Sequence, residues 1–396
     1  MRIGVDATCW GNKRGYGRFT RDLLEALVRI DKTNTYFFFV DGETAAEHEL
    51  PESVQTIVAE TRVSPAKAAA AAGNRSLSDI LSMSRSVLRH RIDVFFFPTM
   101  YSYFPIFNRV KVLVTLHDMI ADNHPELTFS NSRSRQLWRL KQRFAIWQAS
   151  LIATVSHYSK SQIVKHFNLP DSRLRVISEA AQPIFRVTEP GDDRTEVLTR
   201  YGLGEKSDAF LLYVGGISPH KNLSILIDAF HQIRSGSSTG AKLVLVGDYT
   251  DDPFLSAYPD LKVKVNALGL NEAVIFTGFV PDADLVHLYN AATLLVLPSL
   301  DEGFGLPAVE AMACGTPVAA SDRGSLPEVL GDAGVFFDPL NVSEMSSVVG
   351  SLLTNPDRLR QLRERGLERS RRYRWETSAA ETLAIFNELG GQPASP

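Results

Sequence analysis

The chain has 396 residues, 44% of them hydrophobic and 22% charged, and a net charge of −3. That length exceeds one compact core and suits two domains of roughly 200 residues each. The composition excludes a disordered, collagenous or disulfide-rich chain. The two cysteines, Cys9 and Cys314, lie far apart. They predict neither a disulfide framework nor a cysteine metal site, and a reducing, cytoplasmic compartment follows. The opening MRIGVDATCW lacks the apolar stretch of a signal peptide, and no apolar run approaches the roughly 18 residues of a membrane span. Charge is unevenly spread: residues 1–200 hold 27 Lys+Arg and 21 Asp+Glu, residues 201–396 hold 15 and 24. A basic front half suits an anionic partner such as phosphate groups, a lipid surface or an acidic glycan, although solvated surface charge gives the same imbalance. Nucleic acid is not among the expected partners.

Short runs rich in Val, Ile and Phe recur along the chain, each followed by a helical pattern. In order they are RIGVD, TYFFFV, VFFFP, KVLVTL, LIATVS and LRVIS, then FLLYVG, KLVLVG, VIFTG, LLVLPS and PVAAS. Runs apolar on both faces and separated by helices predict parallel strands in a doubly wound α/β sheet. The series occurs twice, which predicts two Rossmann-like domains facing a central cleft. Residues 66–72 form a low-complexity patch without chemistry of its own. The polar stretch 187–208 reads as a linker and a short helix, and the boundary is placed near Pro190. The expected domains are 1–189, 190–372 and a tail, 373–396, whose amphipathic helix near Trp375–Leu389 packs back on the amino-terminal domain. In open α/β sheets ligands gather beyond the carboxyl ends of the strands, so the loops after the strands carry the interest.

Four such loops stand out. The first, in GVDATCWGNKRGYGRFTRDLLEAL, places Gly11, Gly15 and Gly17 between a strand and a helix. It lacks the third glycine of the dinucleotide fingerprint, which disfavours a nicotinamide dehydrogenase, but Gly17 is a candidate to present its amide to an anion. In the second, VTLHDMIADNHPE, His117 and Asp118 directly follow a buried strand, where a polar pair is unexpected unless it lines a site. A satisfied, partly buried histidine fits the same pattern. His124 is close, but the spacing is no metal motif, and no metal is expected. The third, YVGGISPHKNL, carries Gly216, His220 and Lys221 at a strand end. A diphosphate needs a cation there, although most lysines are simply solvated.

The fourth, PSLDEGFGLPAVEAMACGTPV, is a strand end, a glycine-flanked turn and a helix. Pro307 suits a first helical turn and Gly315 a helix stop. Gly303 and Gly305 allow close backbone approach, and the amides of Phe304, Gly305 and Leu306 open a helix N-terminus, a ready-made anion site. Glu302 and Glu310 lie on either side of it. Carboxylates beside an anion site make sense if they accept hydrogen bonds from hydroxyls: Glu310 from a ribose diol, Glu302 from a sugar. A plain strand–turn–helix with two surface glutamates has the same spacing.

Together these loops resemble family 4 of the retaining glycosyltransferases, which have the GT-B fold. GYGRFTRDLLEAL is similar to the family's amino-terminal glycine-rich loop, and TLHDMIADNHPE and ATVSHYSKSQI to its mid-domain segments. FTGFVPDADLVHLYNAATLLVLPSLDEGFGLPAVEAMACGTPV is similar to its signature, two glutamates with seven residues between them. The resemblance implies that Glu302 contacts the donor sugar with help from the Phe304 and Gly305 amides. It further implies that Glu310 binds the nucleotide ribose, Phe279 and Val280 flank the base, Lys221 neutralises the diphosphate and His117 lies against the transferred sugar. Family members use side-chain cations and helix dipoles instead of a divalent metal, so no cofactor is expected beyond the nucleoside-diphosphate sugar donor. Three departures stand out. Gly216 and His220 occupy positions where relatives carry arginine, which removes a cation from the phosphate site. Glu179-Ala180-Ala181-Gln182 stands where many members carry an Asn-Gly-Val-Asp-like run.

The implied reaction is transfer of a hexose, with retention, to a hydroxyl of a glycan, lipid-linked or small-molecule acceptor. No carboxylate pair suits a double-displacement hydrolase, so same-face substitution is implied, with positioning and charge stabilisation as the protein's contribution. A sugar-nucleotide epimerase, a glycan phosphorylase and a non-catalytic sugar-nucleotide-binding module are alternatives on the same architecture. PHKNL is loosely similar to the PRKNL of mannosyl-transferring relatives, which favours GDP-mannose over UDP-glucose. Finally, RSRQLWRLKQR (Arg133–Arg143), with Trp138 and Trp147, predicts a basic, aromatic helix. It either lies on the inner face of a membrane or covers the sheet with its basic residues solvated.

Overall fold

The computed structural model describes residues 1–65, 76–129, 131–189, 194–204, 209–236, 240–249 and 255–391. The low-complexity patch 66–72, Pro190 and parts of the expected linker, 190–193 and 205–208, lie outside the described residues. The chain divides into two compact units, Met1–Glu179 with Arg374–Pro396, and Ala180–Tyr373.

The first unit holds strands β1 (Arg2–Asp6), β2 (Thr35–Asp41), β3 (Gln55–Ala59), β4 (Val94–Phe97), β5 (Lys111–Thr115), β6 (Leu151–Thr154) and β7 (Leu174–Val176). They form one sheet in the order β3-β2-β1-β4-β5-β6-β7, every pairing parallel. The second holds β8 (Phe210–Val214), β9 (Lys242–Val246), β10 (Val274–Gly278), β11 (Leu294–Leu297), β12 (Val318–Ser321) and β13 (Gly334–Phe337). Its order is β10-β9-β8-β11-β12-β13, again all parallel. Parallel strands are covered by helices on both faces, which is why the central ones carry apolar side chains on both faces, with polar residues at their ends. Phe95, Phe96 and Phe97 of β4 are all fully buried, each stabilising the core by roughly 1.5–3 kcal/mol.

All eleven runs read from the sequence are strands, and two further strands, β3 and β13, were not read. Both are sheet edges. Gln55 and Thr56 of β3 are polar and exposed, which breaks the two-sided apolar signature, while β13 is a short apolar run whose Gly334, Val335 and Phe336 are only half-buried.

In each sheet the strand order reverses at one place, between β1 and β4 and between β8 and β11. Such a switch point opens a crevice beyond the strand ends. The loops after these strands are where the sequence concentrates its unusual residues.

The helix Trp375–Leu389 belongs to the first unit and packs along Gly15–Ile30. Phe386 is fully buried with its ring edge-on to Phe96 at 5.6 Å, and Ser378 donates to the Ser178 carbonyl at 2.6 Å. Ion pairs Arg29–Glu376 and Arg175–Glu388, each 2.6 Å, flank the apolar seam. Phe386→Ala should lower the stability of this unit by about 3–5 kcal/mol. Urea unfolding would show this as an earlier loss of the amino-terminal transition, and an unchanged midpoint would mean that the helix is not part of that core.

Candidate functional site

In the second unit the loops after β8 and β11 are bound to each other at the switch point. After β8 the chain turns through Ser218 into a short 3₁₀ turn, Pro219–Lys221. Asn222 follows in the left-handed region with φ of 59°. Asparagine tolerates that conformation better than other side-chain-bearing residues, and here its Nδ2 donates to the carbonyls of Pro298 (3.1 Å) and Pro339 (2.7 Å). The Leu300 amide donates to the His220 carbonyl at 2.9 Å. These bonds hold Lys221 over the β11 loop, where its Nζ meets Glu302 Oε1 at 2.7 Å, with both side chains largely buried. Ser299, fully buried, donates to the same oxygen at 2.7 Å. Both bonds fall on Oε1; among the described residues Oε2 receives no hydrogen bond.

The turn that follows depends on glycine at Gly305. Its φ is +94°, and a Cβ there would sit 2.7 Å from Leu326 Cδ2. Gly305 starts the helix Leu306–Ala313, with Pro307 in its first turn. At the far end the Gly315 amide donates to Met312 and the Thr316 amide to Ala311 (2.8 Å), a Schellman-type stop. Inside the turn, the Ala308 amide is already committed to the Gly305 carbonyl. The Phe304 side chain is buried edge-on to Tyr373 at 5.4 Å, so only its backbone is placed for a ligand. Leu306 and Val280 are likewise buried, while Phe279 is exposed. The stretch after β12 also closes on this turn. The Ser325 amide donates to the Glu302 carbonyl at 3.1 Å, and Gly324 passes so near that a Cβ would lie 2.6 Å from the Glu302 nitrogen.

Glu310 is not the surface residue that an ordinary helix would give. It is buried, and the fully buried Tyr289 donates its hydroxyl to Oε2 at 2.8 Å. The same carboxylate helps burial to push the Cys314 thiol well above its ordinary value, with burial the larger cause. Gly216 contributes a carbonyl, which accepts from Tyr213 at 2.7 Å.

The first unit has an analogous arrangement after β1, β4 and β5. Gly17 is a close-approach glycine: a Cβ would lie 2.1 Å from the Asn12 carbonyl oxygen. Its amide, expected to face an anion, donates to the Arg14 carbonyl at 3.0 Å, inside the first helical turn. Asn12 Nδ2 donates to the Tyr16 hydroxyl (3.0 Å), and the Tyr16 ring lies 4.8 Å from that of Tyr101 in the loop after β4. Burial first, and the charge of Asp118 second, push the Tyr101 phenol well above its ordinary value.

His117 is held on both ring nitrogens. Nε2 lies 3.0 Å from the Pro98 carbonyl and Nδ1 3.5 Å from Glu179 Oε1, with Phe19 edge-on at 4.8 Å. A carbonyl only accepts, so Nε2 carries a proton in this geometry. Glu179, the first residue of the Glu179–Gln182 run, is therefore a partner of His117. Asp118 accepts from the Ile120 amide at 2.9 Å, just ahead of the next helical turn.

The structure thus brings Lys221, His220, Glu302 and Gly303–Leu306 together in one unit and His117 with Asp118 in the other. Sequence reasoning missed Asn222, Ser299, Tyr289 and Gly324. Of these only Asn222, an asparagine closing a Pro-containing turn, carries a local signal.

Two family models cover the chain in succession: residues 13–180 match Glycosyltransferase Family 4 and residues 200–369 match Glycosyl transferases group 1. The O-antigen chain mannosyltransferase B of Escherichia coli is 32% identical over 280 residues, 70% of this chain and 71% of that protein. The serotype-specific mannosyltransferase WbdA of Escherichia coli is 30% identical over 281 residues, 70% of this chain but only 34% of that longer protein. Among solved structures, sucrose-phosphate synthase from Thermosynechococcus elongatus has a TM-score of 0.76 at 18% identity, covering 99% of both chains.

Two all-parallel Rossmann-like domains of this kind define the GT-B architecture. The chain belongs to family 4 of the glycosyltransferases.

Asn222→Ala removes both hydrogen bonds that pin the Lys221 loop. It should cost about 1–3 kcal/mol through the two carbonyls left unpaired, and thermal unfolding of the purified variant measures it. A melting temperature equal to wild type would show that the loop is held by other means.

Proposed function

We propose that the chain transfers mannose from GDP-mannose, with UDP-glucose the second candidate donor, to a hydroxyl of a glycan, lipid-linked or small-molecule acceptor. In this reading the anomeric configuration is retained, no divalent metal takes part, and the protein works at the inner face of a membrane. The observation that carries the reading is the contact of Lys221 with Glu302 at the β8–β11 switch point, beside the amino end of the Leu306–Ala313 helix. The two relatives named as mannosyltransferases and the sequence PHKNL favour mannose.

The donor's diphosphate would take Lys221 from Glu302. Charge-assisted contact with the ammonium and the dipole of the helix N-terminus stabilise negative charge there, which is the work a metal ion does elsewhere. Glu302, fixed through Oε1 by Ser299, keeps Oε2 for a sugar hydroxyl, while the Phe304 and Gly305 amides serve the sugar from the backbone. Glu310, oriented by Tyr289, is assigned the ribose, and Phe279 with the Val280 backbone the base. Gly216 and His220 border the phosphates. In the transfer step the bond from the anomeric carbon to the phosphate oxygen breaks. The acceptor oxygen bonds to that carbon on the same face, and its proton passes to the departing phosphate oxygen. His117 and Asp118 are assigned to the acceptor unit.

Lys221→Ala should lower kcat/KM by roughly 10²–10³; a wild-type rate in the folded variant would remove Lys221 from the mechanism. Calorimetry should show weaker nucleoside-diphosphate binding by Glu310→Ala, and unchanged affinity would count against the ribose assignment. Turnover should persist in EDTA, whereas loss that added Mg²⁺ restores would contradict metal independence. Product NMR separates this reading from an epimerised nucleotide sugar, a sugar 1-phosphate or no product at all.

A further inference from the structure

The helix Ser132–Gln148 carries five basic residues, Arg133, Arg135, Arg139, Lys141 and Arg143, and no carboxylate. Its inner face is committed. Trp138 is buried, stacked on Tyr101 at 5.4 Å and 28°, and its Nε1 donates to Asp122. Gln142 donates to the same Asp122 oxygen at 2.6 Å, and Lys141 reaches the Tyr101 carbonyl. Gln148 exchanges hydrogen bonds with both the amide and the carbonyl of Ile106. Trp138, placed by the sequence with Trp147 on a helix that either lies on a membrane or covers the sheet, is therefore an anchor into the protein.

The outer face is different. Leu137, Leu140, Phe144 and Trp147 are 49%, 53%, 52% and 79% exposed. Steps of three, four and three residues put all four on one stripe of an α-helix. Arg133, Arg139 and Arg143 are exposed around it. A single exposed leucine is ordinary, but four large apolar side chains aligned on one face and edged with arginine mark an interaction surface.

We infer that this face is a docking surface for an anionic phospholipid bilayer, with Leu137, Leu140, Phe144 and Trp147 entering the headgroup–acyl boundary and the arginines on lipid phosphates. A helix with aromatic and leucine side chains on one side, a basic rim and no acid has the chemistry of an in-plane helix on a negative surface. A protein groove of mixed charge would set its own basic residues against the arginines. The inner face ties the helix through Tyr101 to Tyr16 and the glycine-rich loop, so the surface is rigidly linked to the acceptor unit's own switch point. The inference deepens the lipid-linked-acceptor reading and rests on it only for its biological purpose, because docking is measured without donor or acceptor.

The test is co-sedimentation of the full chain with phosphatidylglycerol-containing vesicles and with pure phosphatidylcholine vesicles. The wild type should partition at least about tenfold more strongly onto the anionic vesicles and lose most of that in high salt. Phe144→Ser/Trp147→Ser and Arg139→Glu/Arg143→Glu should each reduce binding roughly tenfold or more, with unchanged melting temperature and donor hydrolysis. Trp147 emission should shift to the blue on anionic vesicles, and the shift should vanish in Trp147→Phe. Equal binding to both vesicle types, or wild-type binding by both double variants, overturns the inference. So does a concentration-dependent dimer by light scattering that the same substitutions abolish, which would assign the face to a second copy. Loss of donor turnover with vesicle binding intact would instead fault the proposed function alone.

Discussion

The ion pair between Lys221 and Glu302 organises the second unit's site. Each member comes from a different loop, and the two loops leave adjacent parallel strands at the place where the strand order reverses. Both side chains are mostly withdrawn from water, so each charge needs the other, and removing one leaves the remaining one poorly solvated. That makes the pair a held arrangement instead of a source of net stability. It keeps an ammonium at the loop that precedes a helix N-terminus, where, on the proposed function, the donor's diphosphate would supply the anion that the carboxylate now provides. The surrounding bonds serve this arrangement: Asn222 fixes the lysine loop, Ser299 fixes the carboxylate, and Gly305 and Gly324 let two backbones close on the turn.

The first unit repeats the logic with different chemistry. The loop after β5, next to the switch-point loop after β4, carries a histidine instead of a lysine, and that histidine is held between the Pro98 carbonyl of the β4 loop and Glu179. The Pro98 carbonyl and the Glu179 carboxylate together define the orientation of the ring. Tyr16, Tyr101 and Trp138 form a continuous aromatic path from the glycine-rich loop to the basic helix. The carboxy-terminal helix, sealed by Trp375 and Phe386, completes this unit's core although it follows the whole second unit in sequence.

How much of this was legible follows from what each signal depends on. Interior parallel strands are apolar on both faces, so Phe95–Phe97 or Leu294–Leu297 announce themselves. The edge strand Gln55–Ala59 begins with polar residues and is largely exposed, whereas Gly334–Phe337 is apolar in sequence, short and only half-buried along most of its length. The glycine and proline punctuation around Glu302 and Glu310 is local and was readable. That Glu310 is buried against Tyr289 was not, because residues twenty-one apart meet only through the sheet. The Gly17 amide was assigned an anion-facing role that the structure gives to a helical turn, and the two readings of the basic helix left open which way the Trp138 ring faces, which the structure places in the protein interior. Residue type predicted the chemistry in both cases, while direction depended on helix phase and on neighbours distant in sequence.

The most direct test of the central claim is a crystal structure of the chain with GDP or UDP bound. The account predicts the diphosphate against the 302–306 turn with Lys221 Nζ moved from Glu302 onto a phosphate oxygen, and the ribose at Glu310. A nucleotide bound elsewhere, or bound there with the Lys221–Glu302 pair intact, would contradict it.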